Sequence, residues 1–190
     1  MRWTHLRAAS ANCWRPPRLD APVSEQSDNR QHFAVAVLSL WLVCTSPWIA
    51  MFRRVPEGAG WLDLAHVALG FVTLLLAVAY MWTCTRHGRW RLYFPWTPRL
   101  FGGVARDLGG LFRGQVPAAE SGGLFGFIEG LLLAALALTA LSGAAWFVTQ
   151  GSSDALAWRD FHIYAPRRMI GLLVLHVVSV SLHLLDFVRD

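Results

Sequence analysis

Histidine is the residue type in this sequence best placed to do chemistry. The 190-residue chain has seven histidines, and four of them fall inside or at the edge of long apolar stretches: His32, His66, His176 and His183. Ionisable residues are costly inside a membrane and favour a functional interpretation there. Two neutral imidazoles on one haem iron give a six-coordinate centre suited to electron transfer. Haem ligation is therefore the first chemistry that these side chains indicate.

His162, His176 and His183 are spaced so that one helix would present all three on one face. The intervals are 14 and 7 residues, which leave rotations of about 40° and 20° at 100° per residue. Fourteen residues rise about 21 Å, a separation that suits two haems, one near each membrane face. Seven residues rise about 10 Å, which would crowd two haems but permits one ligand and a neighbouring histidine.

Charge-free stretches predict the elements that must hold these side chains. Hydrophobic residues make up 55% of the chain and charged residues 15%, below the roughly 25% of a soluble domain. A membrane span needs about 20 mostly apolar residues. The sequence therefore predicts an all-α membrane protein whose residues 31–190 form a bundle of four transmembrane helices, near residues 33–52, 62–83, 125–148 and 168–187.

Helix 4 is short for a span, so we expect it to begin earlier or to use Arg167 and Arg168 as snorkelling ends. Pro166 leaves a further alternative, because a proline is comfortable in a first turn but kinks a helix interior. If helix 4 begins at Pro166, His162 lies in a loop. Residues 1–30 have no apolar run and are predicted to form a flexible arm.

The 17 basic residues are all arginine, and their distribution predicts the orientation. Eleven lie before helix 1 or between helices 2 and 3, whereas the other two loops hold five. The positive-inside rule then places both termini and the central loop in the cytoplasm. Since the positive charge borders the spans, we interpret the net charge of +5 as a membrane feature and expect no nucleic-acid partner. The three cysteines form no C-x-x-C pair and are interpreted as unpaired thiols.

Helix direction places the histidines at different depths. His66 begins a helix that enters from the outside, and His162 precedes another, so both lie near the outer face. His32 lies at the inner face, His176 near the middle of the membrane and His183 nearer the inside. His66 and His162 therefore match in depth, and His32 can reach His176 or His183.

The four helices, the histidine that opens helix 1, the H-x-x-x-G from His66 to Gly70, and the 14-residue interval from His162 to His176 resemble the bacterial cytochrome b561 family. This family includes the membrane cytochrome b subunits of formate dehydrogenase and nickel–iron hydrogenase. The resemblance covers residues 28–188 and extends to a T-x-x-S-G from Thr139 to Gly143. Many relatives carry a histidine early in helix 3, where this chain has Gly126, Phe127 and then Glu129.

The resemblance implies two b-type haems in a bacterial inner (cytoplasmic) membrane. It implies His32 and His176 as ligands of the inner haem, and His66 and His162 as ligands of the outer haem. The implied function is electron transfer between a redox partner, such as a dehydrogenase, a reductase or a cytochrome c, and the quinone pool. The chain would be an electron-transfer subunit of an oxidoreductase complex, with no catalytic residue of its own.

Further residues have more than one interpretation. His183 has three interpretations: it lies beside the ligands of the inner haem without binding the iron, it lies near the quinone, or it is a ligand in place of His176. Arg30, Arg167 and Arg168 could pair with haem propionates, because guanidinium binds carboxylates in a fork, or they could be snorkelling anchors. The alternatives for the whole chain are a one-haem version, in which His162 is not a ligand, and a haem-free membrane anchor or assembly subunit.

Overall fold

The computed structural model describes residues 23–49, 51–86, 90–95, 98–114 and 123–189, and all its regular elements are helical. Most of the predicted N-terminal arm, together with His5 and His87, lies outside these ranges. The described elements are a 3₁₀ turn, Ser46–Trp48, and six helices: α1 (Val23–Thr45), α2 (Trp61–Thr85), α3 (Trp90–Tyr93), α4 (Pro98–Leu111), α5 (Leu124–Val148) and α6 (Asp154–Arg189).

Three helices are long and apolar enough to cross a membrane, counted over the described ranges: Trp61–Thr85, Leu124–Val148 and Asp154–Leu182. Their outward faces carry many exposed large apolar side chains, as a lipid-facing surface requires. Tryptophans at both ends of α2 are strongly exposed, Trp61 by 75% and Trp82 by 70%. Tryptophan is enriched at membrane–water interfaces, so these residues mark the two ends of a span.

The helix predicted near residues 33–52 has different bounds in the structure. α1 begins at Val23, inside the segment predicted to be a flexible arm, and ends at Thr45. Its first residues are polar, which leaves it outside the set of candidate spans. Pro47 explains the early end, because proline lacks an N–H and disfavours helical backbone in the residue before it. The Thr45 hydroxyl donates back to the Trp41 carbonyl over 2.8 Å at this end.

The helix predicted near residues 168–187 begins 14 residues earlier, at Asp154. Pro166 lies within α6 and has no N–H to donate, so the His162 carbonyl four residues before it lacks its usual helical partner. The alternative that places His162 in a loop is therefore wrong. His162 and His176 belong to one continuous helix.

α5 lies at the centre of the packing, in contact with α2, α3, α4 and α6, while α1 packs on α2. The buried core lies between α2, α5 and their neighbours and includes Ala77, Tyr80, Leu133, Leu136 and Met169. The turn between α5 and α6 is short, so these two helices run antiparallel.

Two glycines in the first turns of α5 allow the backbone of α3, in the central loop, to approach closely. A Cβ at Gly126 would collide with the Leu92 carbonyl oxygen, and one at Gly130 with the Tyr93 carbonyl oxygen. Any side chain at Gly126 would thus displace α3.

The expectation of three unpaired thiols is wrong for Cys84. This residue is buried near the end of α2 and is disulfide-bonded. Cys44 on α1 is free and exposed.

Candidate functional site

His66 and His162 line one cavity of about 450 Å³ between α1, α2, α5 and α6. They are close enough to interact electrostatically. Most of the lining is apolar, with a few polar groups among it. Cavities of a few hundred Å³ with apolar walls and a few convergent polar groups are typical of cofactor and ligand sites. The structure therefore brings together the two histidines predicted to lie near the outer face.

His162 has a fixed orientation, because α5 supplies partners for one ring nitrogen. His162 Nδ1 lies 2.9 Å from the Thr139 carbonyl oxygen and 3.0 Å from Ser142 Oγ. A carbonyl oxygen can only accept, so Nδ1 carries the proton and donates it. The lone pair is then on Nε2, which leaves that nitrogen free to bind a metal. A carbonyl partner of this kind orients the imidazole and makes it a more basic ligand.

Ser142 and Gly143 complete the support for this ring. The Ser142 hydroxyl donates to the Thr139 carbonyl over 2.7 Å, so its oxygen is free to accept from His162. Gly143 lies under the imidazole, since a Cβ there would come within 2.8 Å of His162 Cε1. The T-x-x-S-G sequence thus orients His162 by hydrogen bonds with Thr139 and Ser142 and by close packing at Gly143. The residue types alone did not reveal this role.

His66 lies in the second turn of α2 and differs from His162 in its hydrogen bonding. Its Nδ1 is buried and has no hydrogen-bond partner among the described residues. Gly70, one turn further along α2, also lines the cavity, and a Cβ added there would meet nothing within 4 Å. The H-x-x-x-G sequence therefore places an imidazole and open space on the same face of the helix.

The polar lining of the cavity includes one acidic and one basic side chain. Asp63 accepts a hydrogen bond from the Gly60 main-chain N–H over 3.1 Å, at the start of α2. Arg167 also lines the cavity, and its guanidinium lies 5.2 Å from the ring centre of Tyr164. Arg168 is exposed on α6 and is not among the residues that line this cavity. Of the two adjacent arginines, Arg167 is therefore the one placed to bind an anionic group.

His32 and His176 form a second pair, contributed by α1 and α6. The two side chains are close enough to interact electrostatically. Aromatic rings pack against both: Tyr80 lies 5.7 Å from His32, and Phe125 lies 5.9 Å from His176, between ring centres. His176 Nδ1 is buried without a hydrogen-bond partner among the described residues.

The other predicted site residues are less defined. Arg30 is exposed, two positions before His32. His183 belongs to α6, but its side chain lies outside the described part of the chain.

Two buried polar groups near the histidine pairs were not predicted from the sequence. Ser39 Oγ and Gln31 Oε1 have no hydrogen-bond partner within the described ranges. Ser39 lines the cavity of His66 and His162, and Gln31 precedes His32 in the chain. A serine within an apolar run and a glutamine beside a histidine are weak signals, because both residue types also occur in ordinary helix packing.

The histidines meet as pairs. Across the described part of the chain, no group of three or more His, Cys, Asp and Glu side chains could hold a metal ion. A haem iron requires only axial ligands from the protein. The chain matches no protein-family model, no curated protein and no solved structure.

Proposed function

We propose that this chain is a membrane cytochrome with two b-type haems, which transfers electrons between a redox partner subunit and the quinone pool. The proposal follows the resemblance to the bacterial cytochrome b561 family. His66 and His162 would bind one haem, and His32 and His176 the other. α1 would complete a bundle of four membrane-spanning helices.

The observation that carries the proposal is the relationship of His66 and His162 across their shared cavity. One imidazole is fixed with Nε2 free by the hydrogen bond from Nδ1 to the Thr139 carbonyl. The other lies on a different helix with open space beside it at Gly70. Two imidazoles from different helices at similar depth are what a six-coordinate haem iron requires.

The residues at this cavity fit a haem in three further respects. The apolar walls suit a porphyrin, and the volume of about 450 Å³ falls within the range of cofactor sites. Among the described residues, His66 Nδ1 and Ser39 Oγ have no hydrogen-bond partner, and a bound group or a water could supply one. Arg167 is placed to bind a propionate, since guanidinium pairs with carboxylates.

α1 supports the fourth span by its length and surface. Residues 32–49 rise about 27 Å at 1.5 Å per residue, close to the roughly 30 Å of a bilayer core. Phe33, Val37 and Leu40 are exposed on α1, as lipid contact requires. The span would consist of the apolar part of α1 and the 3₁₀ turn that follows it.

The chemistry divides simply between protein and cofactor. A bound haem would supply the one-electron chemistry. The chain would provide oriented imidazoles, exclude water by its apolar walls, and hold the propionates with Arg167 at the pair of His66 and His162 and with Arg30 at the pair of His32 and His176. His183 would be a quinone-proximal neighbour of the inner pair.

The arginine distribution supports an orientation with both termini in the cytoplasm, and the resemblance implies a bacterial inner membrane. The partners would be membrane lipid, quinone and a dehydrogenase, reductase or cytochrome c subunit. The loops on the predicted outer side, between α1 and α2 and between α5 and α6, are short, which favours catalysis on a partner subunit.

A second candidate is a one-haem version that differs from the one expected from the sequence, because here His66 and His162 bind the haem and the pair of His32 and His176 does not. It is favoured by the packing of Tyr80 against His32 and of Phe125 against His176. Aromatic rings occupy space beside these two imidazoles, whereas His66 and His162 line a cavity.

The experiment that tests the proposal is haem quantification by pyridine haemochrome on the purified full-length protein. About two haems b per chain are expected, and the absorbance spectrum of the native protein should be that of low-spin, bis-imidazole iron. A value near one selects the one-haem version. No bound haem overturns both and leaves a haem-free membrane anchor or assembly subunit.

A further inference from the structure

The central loop carries an amphipathic helix, α4, that is fixed at one end of a membrane span. Asp107 Oδ2 accepts a hydrogen bond of 2.9 Å from the Leu124 main-chain N–H, the first residue of α5. Phe101 of α4 also packs edge-on against Phe127 of α5, with 6.3 Å between ring centres. Since α5 is long and apolar enough to span a membrane, these contacts fix α4 at the depth where that span begins.

α4 leaves a row of apolar side chains exposed among the described residues. Phe101 is 52% exposed and Leu108 is 47% exposed, and the two are seven residues apart on one side of the helix. Phe112, just after α4, is 86% exposed. Val104 lies on the same side of the helix and is buried, so this exposed row borders the contacts that attach α4 to α5.

The opposite side of α4 is basic. Arg106 is exposed and lies roughly 150° around the axis from Phe101 and Leu108, at 100° per residue. Arg113, which follows the helix, is also exposed. The carboxylate of Asp107 faces the start of α5 and not the side that carries Arg106. Apolar side chains on one side and arginines on the other are typical of a helix that lies in a membrane interface.

We infer that α4 is an interfacial helix that docks on the anionic lipid surface of the membrane that α5 crosses. Phe101, Leu108 and Phe112 enter the acyl boundary, and Arg106 and Arg113 contact lipid phosphates. The hydrogen bond between Asp107 and Leu124 holds α4 level with the end of the candidate span α5. The exposed apolar side chains of α4 therefore lie at the height of the membrane surface, which favours lipid over a protein as their partner. The inference depends on the candidate spans and is independent of haem binding.

Membrane depth of α4 can be measured by spin labelling of the full chain in nanodiscs that contain phosphatidylcholine and phosphatidylglycerol. Phe101→Cys, Leu108→Cys and Arg106→Cys are labelled in a Cys44→Ser background, and that parent gives the background signal. Labels at positions 101 and 108 should collide more with oxygen than with a water-soluble nickel chelate, and the label at 106 should do the reverse. Equal water access at all three positions overturns the inference. That result is also the one expected if this surface binds a soluble protein and not lipid.

Lipid selectivity is tested by native mass spectrometry of retained lipids. Arg106→Gln with Arg113→Gln should lower the enrichment of phosphatidylglycerol over phosphatidylcholine by about fivefold or more, since each basic residue near an anionic surface contributes about 1 kcal/mol. The matched control is Arg54→Gln with Arg159→Gln, which removes the same charge near the other end of α5. Unchanged enrichment in the α4 variant, or an equal loss in the control, overturns the assignment of anionic lipid as the ligand.

Discussion

The imidazole of His162 on α6 donates a hydrogen bond from Nδ1 to the Thr139 carbonyl on α5, over 2.9 Å. One helix thereby determines both the tautomer and the orientation of a histidine on another. This contact makes His162 the best defined of the proposed ligands.

Replacement of Gly143 by alanine should disturb this histidine directly. The added Cβ would lie within 2.8 Å of His162 Cε1 and would displace the ring. We expect loss of the haem held by His66 and His162, measured as a fall of about one haem per chain in the pyridine haemochrome assay.

Gly171→Ala is the matched control, because a Cβ at that position of α6 meets nothing within 4 Å. Alanine favours a helix over glycine by about 1 kcal/mol, so this variant should keep its haem and its stability. Full haem content in Gly143→Ala would contradict the proposed role of His162.

Replacement of Ser142 by alanine should have a milder effect. It removes the hydroxyl 3.0 Å from His162 Nδ1 but leaves the Thr139 carbonyl in place. A less basic imidazole stabilises ferric iron less, so the midpoint potential of the outer haem should rise while the haem is retained. Redox titration of the absorbance spectrum measures this shift. Thr149→Ala removes another hydroxyl of the same helix end, bonded only to main-chain carbonyls, and should leave the potential unchanged.

The pairing itself predicts how single variants behave. His66→Ala or His162→Ala should remove one haem and preserve the other, because both belong to one cavity. His32→Ala or His176→Ala should remove the other haem only. His87→Ala serves as a histidine control and should retain both. Loss of both haems, or of neither, in His66→Ala would count against these pairs.

Asp107 should stabilise the start of α5 as an N-terminal cap. Its carboxylate accepts from the Leu124 N–H over 2.9 Å, and removal of such a cap costs about 1 kcal/mol. Asp107→Ala should lower the melting temperature in detergent, whereas Asp107→Asn keeps an acceptor oxygen and should lower it less. Asp160→Ala removes only an exposed ion pair with Arg159 and should have little effect. Equal destabilisation by the alanine and asparagine variants would argue against capping.

The orientation of the chain gives a separate prediction. The arginine distribution places the C-terminus in the cytoplasm. A reporter fused after Asp190 tests this orientation: cytoplasmic activity is expected, and activity only in the periplasm would reverse the assignment.

Helix order allows part of the site to be predicted from sequence. The direction of each helix determines depth, so the order of the apolar stretches is enough to match His66 with His162, and His32 with His176 or His183. The support from Thr139 and Ser142 depends on how α5 and α6 rotate against each other, and residue spacing does not determine that rotation.

α6 begins before its apolar run, as the short predicted span led us to expect, but the sequence did not predict the position of its first residue. Arg159, Arg167, Arg168 and Pro166 are typical loop signals, and the apolar run begins only at Met169. In the structure the helix continues through all of them, because Asp154 favours a helix start and the first turns pack on α5. The boundary of an apolar stretch therefore locates the membrane core and not the end of the helix.

The tryptophans at the ends of α2 allow the depth of His66 within the candidate span to be estimated. Trp61 and Trp82 are 21 positions apart, about 31 Å along the helix axis, which matches the roughly 30 Å of a bilayer core. On this scale His66 lies only about 8 Å below the plane of Trp61. In the proposed cytochrome, an electron from a partner docked at that surface would cross only about a quarter of the span before it reached the imidazole of His66.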